Sequence, residues 1–301
     1  MIICIGAFDG YHRGHLSLFE KAREMSRARN TDWRIMTFHP HPRSVLGKTH
    51  SLLFTGEEKA LLRTLLDMPE PIRIPFTIEF ARTEPTEFLA QIRSRMDIEG
   101  IVVGENFRFG KDRSGDGEFL KKYCSEAGIE LALMPRKITS DGKTISSTRL
   151  REMVRSGDVA DVPPLLSYPY FIQSEVVHGS ERGRSIGYPT ANIVTSLKKL
   201  IPRESVYAGA VVMDGQTYAA AISVGRNPTF GELDSARIEA HILDYSGNLY
   251  EKRPVVVFLE KLRPMEKFSG PESLAAQLKA DCARTREIYA TKEGLLDTFR
   301  M

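Results

Sequence analysis

The sequence predicts an α/β domain with a parallel sheet, followed by a small antiparallel β-barrel with a terminal helix. Over the first half, apolar runs typical of buried strands alternate with helical patterns, which implies βαβ units. The second half carries short β-branched runs separated by turn residues, as small barrels do. The length of 301 residues suits two domains, at roughly 150 residues each. We place these domains at residues 1–158 and 168–301, with a proline-containing linker at 162–169.

Composition and charge exclude several classes of protein. The net charge is only +3 and the basic residues form no single tract, so we expect no nucleic-acid partner. No segment has the ~18 uninterrupted apolar residues of a membrane span, and the first motif starts too early to leave room for a signal peptide. We therefore expect a cytoplasmic protein. The three cysteines, Cys4, Cys124 and Cys282, lie far apart, which argues against a disulfide framework or a metal-thiolate site.

Strands and helices follow in turn along the first half. The predicted strands are Ile2–Ile5, Trp33–Phe38, Gly100–Gly104 and Ile129–Met134. One predicted helix carries His12 and His15 in its first turn and reaches at least Met25 by its apolar spacing. The other predicted helices are Gly56–Leu66, Pro85–Met96 and Glu118–Ala127, and another begins near Ser146 and ends at Ser156. Right-handed crossovers would join these strands into one parallel sheet. Ligands of such sheets bind beyond the carboxyl ends of the strands.

The segment directly after the first strand, GAFDGYHRGH at residues 6–15, carries the strongest functional signal. It places His12 and His15 in the first turn of a helix, where unpaired N–H groups attract phosphate. Gly6 and Gly10 would let the backbone approach that anion closely, and imidazoles can donate hydrogen bonds to phosphate oxygens. Two histidines on one helical turn are more often structural, but the strand and glycine turn before them favour a nucleotide site, which would also include Phe8.

A second anion-binding segment, ISSTRLR at residues 145–151, places three hydroxyls beside two guanidinium groups. Ser146 or Ser147 can cap a helix that begins here, and its first turn would face an anion. Arg149 and Arg151 add donors that are always charged. The alternative is an ordinary capped helix with solvated arginines.

These motifs, together with TFHPHPR at residues 37–43 and GENFRFG at 104–110, carry a family resemblance. In order and approximate spacing they resemble the bacterial bifunctional riboflavin kinase/FAD synthetase family, and GAFDGYHRGH also resembles the signature of the nucleotidyltransferase superfamily. The resemblance implies a Rossmann-like N-terminal domain that joins FMN to AMP from ATP and releases pyrophosphate. It implies ATP phosphate contacts for His12 and His15 and a flavin cleft lined by Asn106 and Phe107. It assigns phosphate binding to Ser146, Ser147, Thr148 and Arg151.

The second half is predicted to be rich in β-structure. The predicted strands are Phe171–Val177, Val206–Asp214, Gln216–Val224, Ile238–Leu243 and Pro254–Leu259, and a final helix runs from Pro271 to about Tyr289. Asp214 and Gly215 form a strong hairpin signal between two of the strands.

Two segments of this half indicate phosphate and metal chemistry. Residues 178–187 have the glycine and arginine content needed to wrap a triphosphate, with a mobile surface loop as the alternative. The phosphate-binding residues expected there are Gly179, Arg182, Gly183, Arg184 and Gly187. Next comes PTAN at residues 189–192, in which Thr190 and Asn192 face the same side of an extended chain. Neutral oxygen ligands of this kind suit Mg²⁺.

The strand Ile238–Leu243 carries a candidate general base. Alternation places Glu239 and His241 on one face, opposite Ile238 and Ala240. On a pocket face, Glu239 could accept a proton from an attacking alcohol. The alternative is a solvated outer face, where such residues usually lie.

The second half resembles the riboflavin kinase part of the same family through PTAN, VGRNPTF at 224–230, the strand with Glu239, and LRPMEKF at 262–268. The resemblance implies transfer of the ATP γ-phosphate to the 5′-hydroxyl of riboflavin, with Glu239 as base. It assigns Mg²⁺ binding to Thr190 and Asn192, and flavin binding to Asn227 and Arg263. Ser205 and Glu251 depart from the pattern, which has glycine at both positions.

The sequence thus predicts a bifunctional enzyme that uses ATP with Mg²⁺ to convert riboflavin to FMN and FMN to FAD. Two alternatives stay open: an FMN adenylyltransferase whose barrel only binds flavin, and a nucleotidyltransferase for another small phosphate ester. The joint presence of Thr190, Asn192 and Glu239 favours a catalytic barrel. The expected partners are riboflavin, FMN and ATP, and a homo-oligomer is left open.

Overall fold

The structure, a computed structural model, describes residues 1–47, 51–178, 187–226 and 236–300. The chain divides into two compact units. The first contains Met1–Ser51 and Asp67–Ser146, and the second contains Leu52–Leu66 and Ser147–Met301. A short stretch from the first half of the sequence therefore belongs to the second unit.

Eight α-helices lie in the described residues. In chain order they are α1 (Arg13–Arg29), α2 (Pro42–Val45), α3 (Gly56–Leu65), α4 (Pro85–Arg93), α5 (Gly117–Ala127), α6 (Ser147–Ser156), α7 (Pro163–Leu166) and α8 (Pro271–Lys292). Short 3₁₀ segments are Phe80–Arg82, Lys111–Arg113, Val159–Asp161 and Glu293–Phe299.

The first unit is built on a five-stranded parallel sheet. Its strands are β1 (Ile2–Ile5), β2 (Trp33–His39), β3 (Ile72–Pro75), β4 (Gly100–Gly104) and β5 (Glu130–Met134), in the order β3-β2-β1-β4-β5. Every residue of β1 is buried, as expected for a central strand covered on both faces. The chain runs outward from β1 to β3 and then returns to β4, so the order reverses between β1 and β4. Parallel sheets bind their ligands at such a switch point.

The second unit is built on a seven-stranded antiparallel sheet. Its strands are β6 (Phe171–Gln173), β7 (Val176–Val177), β8 (Ala191–Ile193), β9 (Ser205–Met213), β10 (Gln216–Arg226), β11 (Ala236–Ile242) and β12 (Val255–Arg263), in the order β6-β12-β9-β10-β11-β8-β7. Only residues 174–175 separate β6 from β7, although these strands form opposite edges of the sheet. The sheet must therefore curl back on itself, which confirms the predicted barrel-like fold.

The predicted hairpin forms as its sequence indicates. β9 and β10 pair from Met213 and Gln216 onward, with Asp214 and Gly215 as the turn. Both turn residues have positive φ, 50° and 75°, as a type I′ turn requires. Ser205, one of the departures from the family pattern, is an ordinary β9 residue with no positive φ, so serine adds no backbone strain there.

The predicted linker at residues 162–169 is wrong. This segment forms α7, and it buries Leu165, Leu166 and Tyr168. Prolines at the first positions of a helix are favourable, because the N–H groups they lack would have no helical partner there. The three large apolar side chains that follow stabilise the structure by burial, so the segment packs rather than linking.

Candidate active sites

The first candidate site lies at the carboxyl end of β1, next to the switch point. His12 is the N-cap of α1, and its Nδ1 accepts a hydrogen bond from the His15 amide at 3.3 Å. The two imidazole rings stack with centroids 3.6 Å apart. The predicted helix start with its histidine pair is confirmed, and both rings lie at a helix N-terminus, where the backbone favours an anion.

The loop that leads into α1 has an unusual backbone. Phe8, Gly10 and Tyr11 all have positive φ, at 44°, 97° and 35°. Residues other than glycine in this region cost free energy, and such residues cluster at functional sites. The Phe8 ring packs edge-on against His15, with centroids 5.2 Å apart. It also covers Gly6, where an added Cβ would lie 2.7 Å from the ring, so Gly6 makes room for Phe8.

Asn106 and Phe107 lie two and three residues after the end of β4, the neighbour of β1 across the switch point. Since β1 and β4 are parallel, their carboxyl ends lie at the same edge of the sheet. Asn106 is exposed and Phe107 is half-buried, stacked on Phe109 with ring centroids 5.4 Å apart. The topology thus brings the predicted flavin residues to the same edge as the histidines.

The ISSTRLR motif forms the start of α6, as predicted. The helix begins at Ser147, so Ser146 occupies the position in front of it. Thr148 is exposed on the first turn, whereas Arg151 is almost fully buried. Ser146 closes the first unit, and the residues from Ser147 onward belong to the second.

The second candidate site lies on one face of β8 and β11. Glu239 and Asn192 lie directly opposite each other in this antiparallel pair, so their side chains share a face. Ile238, Ala240 and Ile242 are buried on the other face, which confirms the predicted alternation. Thr190 precedes β8 by one residue and is half-buried.

Arg237, which was not among the residues predicted from the sequence, connects Glu239 with Asn192. Arg237 forms an ion pair with Glu239, and its Nη2 and Nε donate to Asn192 Oδ1 at 3.2 and 3.4 Å. It stands two residues before Glu239 on β11, so the same alternation could have placed it on this face. His241 closes the row with its Nδ1 2.8 Å from the Pro189 carbonyl oxygen.

The remaining predicted residues divide into two groups. Gly179, Arg182, Gly183, Arg184 and Asn227 lie outside the described residues. Gly187 is described: it is exposed and has a φ of 83°. Arg263 forms a forked ion pair with Asp281 of α8, with contacts of 2.8 to 3.2 Å, and its guanidinium lies 5.5 Å from the Phe268 ring. Its proposed flavin contact stays a prediction.

The oxygen atoms on and next to β8 and β11 suit Mg²⁺ that shares its ligands with phosphate and water. They do not form a metal site in which every ligand comes from the protein. Among the described residues, no three His, Cys, Asp or Glu side chains cluster as metal ligands do. The candidates are the Thr190 hydroxyl and Asn192 Oδ1, with the Glu239 carboxylate opposite. Magnesium is commonly held by one or two protein oxygens with phosphates and water.

In the part of the chain that the structure describes, no helix is long and apolar enough to cross a membrane.

Comparison with known proteins covers both units. Residues 1–149 match the family model described as FAD synthetase, and residues 166–289 match the one described as riboflavin kinase. The chain is 32% identical to the bifunctional riboflavin kinase/FMN adenylyltransferase of Listeria monocytogenes, over 97% of this chain and 93% of that protein. The enzyme of the same name from Bacillus subtilis is 31% identical, over 93% and 90% of the two chains.

A solved structure is similar over the same extent. A crystal structure described as a macrolide-efflux protein from Streptococcus pneumoniae is 34% identical, with a TM-score of 0.86 over 95% of this chain and 93% of that chain. Family matches and fold together define the class of protein: a two-domain enzyme that uses ATP and flavins. The chain belongs to the family of bifunctional riboflavin kinase/FMN adenylyltransferases, and it carries both the FAD synthetase and the riboflavin kinase domain.

Proposed function

We propose that this enzyme phosphorylates riboflavin to FMN and then adenylylates FMN to FAD. The adenylyltransferase is assigned to residues 1–158 and the kinase to 168–301. The observation that carries the proposal is the pairing of Glu239 with Asn192 across β8 and β11, in a chain that also has a histidine pair at its sheet switch point. A barrel that only binds flavin would not need a carboxylate opposite a candidate metal ligand.

In the adenylyltransferase, a phosphate oxygen of FMN attacks the α-phosphorus of ATP, and the bond to pyrophosphate breaks. Negative charge develops on the phosphate oxygens in this step. His12 and His15, at the N-terminus of α1, are proposed to donate hydrogen bonds to those oxygens. Asn106 and Phe107, at the same sheet edge, would hold the flavin, while Ser146, Ser147, Thr148 and Arg151 bind phosphate.

In the kinase, the 5′-hydroxyl of riboflavin attacks the γ-phosphorus of ATP and ADP leaves. Glu239 would accept the hydroxyl proton as general base. Thr190 and Asn192 would hold Mg²⁺, which neutralises phosphate charge during phosphoryl transfer. Positioning and charge neutralisation carry most of such a reaction, so one carboxylate and two neutral oxygen ligands suffice.

We also propose that the enzyme works in the cytoplasm. Cys4, Cys124 and Cys282 are free thiols and all are buried, and disulfides are rare in that reducing compartment. Burial raises the pKa of each thiol, which makes them inert rather than reactive groups. Riboflavin, FMN and ATP are the proposed partners.

Purified protein with riboflavin, ATP and Mg²⁺, sampled over time by chromatography, tests the proposal. Transient FMN followed by FAD is the expected result. FAD from supplied FMN, but no product from riboflavin, would reduce the second domain to a binding module. FMN without FAD would contradict the adenylyltransferase assignment.

A further inference from the structure

Arg237, on β11, lies between two groups of the proposed kinase site, Glu239 on its own strand and Asn192 on β8. Its guanidinium touches the Glu239 carboxylate and the Asn192 amide oxygen at once. These groups are the proposed base and a proposed Mg²⁺ ligand, so the inference below rests on the proposed function. Two lone pairs are available on Asn192 Oδ1, and Arg237 approaches it with both Nε and Nη2.

The ion pair between Arg237 and Glu239 is partly solvated. The Arg237 side chain is 37% exposed and that of Glu239 is 25% exposed, so the pair lies at the rim of the face rather than in the core. A partly solvated ion pair contributes little to stability, and its side chains can exchange partners at low cost. The arrangement is therefore better suited to a movable contact than to a fixed support.

We propose that Arg237 is a positioning residue that stands in for the metal cation in the nucleotide-free kinase site. It holds Glu239 and Asn192 together across the two strands and compensates the carboxylate charge. Binding of Mg²⁺ with nucleotide displaces the guanidinium from Asn192 Oδ1, because two cations on one amide oxygen repel each other. Because the guanidinium must first leave Asn192, the apparent affinity of the site for Mg²⁺ is lowered. Arg237 itself takes no part in the chemical step.

The size of this effect follows from a population argument. If the bridged arrangement holds about nine-tenths of the nucleotide-free protein, apparent affinity falls about tenfold. Removal of the positive charge from Arg237 would abolish that loss. The maximal rate would not change, because the bridge is already broken in the loaded site.

The kinetic test compares riboflavin phosphorylation against Mg²⁺ concentration for the full chain and for Arg237→Met. FMN formation reports on the kinase site alone. We expect half-maximal activity at a Mg²⁺ concentration three- to tenfold lower, roughly, with kcat within about twofold of the unmodified enzyme. Arg237→Gln, which is also uncharged but polar, gives the same result and guards against misfolding. Arg237→Lys keeps the charge and should restore the original Mg²⁺ requirement.

A matched control is Arg253→Met, which removes an arginine from another partly exposed ion pair of the same unit, with Glu57. It should leave the Mg²⁺ requirement unchanged. An unchanged or higher Mg²⁺ requirement in both Arg237→Met and Arg237→Gln would overturn the proposal.

Crystal structures supply a readout that does not depend on activity. In the full chain with ADP and no metal, Arg237 should keep its contact with Asn192 Oδ1, which is 3.2 Å from Nη2 here. With ADP and Mg²⁺, the guanidinium should have left that oxygen. A guanidinium that stays on Asn192 beside bound Mg²⁺ contradicts the inference. Absence of FMN formation by the unmodified enzyme would contradict the proposed function instead, and the two structures would still decide the role of Arg237.

Discussion

Lys199 Nζ lies 2.7 Å from Glu58 Oε2, and both side chains are fully buried, with exposures of 1% and 0%. The ammonium also donates to the backbone oxygens of Leu53 and Phe171 at 2.7 and 3.0 Å. The carboxylate accepts from the amides of Thr55 and Gln173 at 2.7 and 3.0 Å. Both charges of this buried pair are therefore compensated. The pair and its backbone hydrogen bonds join residues 52–66 to β6 within the second unit.

Removal of one partner of this pair should destabilise the second unit strongly. Lys199→Met leaves a buried carboxylate without its cation, a change that costs about 3–5 kcal/mol of the free energy of unfolding. The neighbouring Glu57 offers a matched control, because its pair with Arg253 is exposed and Glu57→Gln should cost less than about 1 kcal/mol. Urea denaturation followed by circular dichroism measures both. Equal losses in the two variants would contradict the role of burial.

The outcome for residues 52–66 shows where sequence reasoning stops. The helix itself follows from local signals, and the Thr55–Glu58 capping box confirms its start. Membership in the second unit depends on a buried partner more than a hundred positions away, and no local pattern reveals that. The same holds for Arg263, whose ion pair with Asp281 depends on how α8 packs. Arg237 is different, since strand alternation would have been sufficient to place it on the same face as Glu239.

Gly6→Ala should impair FAD synthesis and spare FMN formation. The new Cβ would lie 2.7 Å from the Phe8 ring, so the ring must move and carry its neighbour His15 with it. A displacement near 1 Å at a reacting site costs on the order of 100-fold in rate. Separate assays with FMN and with riboflavin measure the two activities. Gly56→Ala, where nothing lies within 4 Å of the added Cβ, is the control and should leave both rates unchanged.

Glu251→Gly should stabilise the protein. Glu251 has a φ of 66°, a left-handed conformation that costs a residue with a side chain about 1–2 kcal/mol. Glycine removes that cost but loses more conformational entropy on folding, so a net gain of about 0.5–1 kcal/mol is expected. Thermal unfolding measures it. Gly215→Ala, at a φ of 75°, reverses the change and should destabilise; a loss of stability in Glu251→Gly would refute the strain argument.

Stability should fall in alkali because of Tyr207. Burial raises its pKa from 10.0 to about 12, so the folded state favours the neutral phenol. This contribution is fully present below pH 10, the unfolded value, and is lost as pH rises from 10 to about 12. Tyr207→Phe should lower the free energy of unfolding by about 1 kcal/mol at pH 8, because it removes the hydrogen bond that the hydroxyl donates to the Arg203 oxygen. Urea midpoints measured from pH 8 to pH 12 should then decline less steeply than in the unmodified protein; an equal decline would exclude Tyr207 as the cause.

The most direct test of two separate catalytic sites is to mix two variants that each lack one of the two activities. His15→Ala should convert riboflavin to FMN and stop there. Glu239→Gln should make no FMN, because loss of a general base costs about 100- to 10,000-fold, yet convert supplied FMN to FAD. We expect that neither variant alone makes FAD from riboflavin and that their mixture does. FAD formation from riboflavin by either variant alone, or failure of the mixture when both variants are folded, would contradict this expectation.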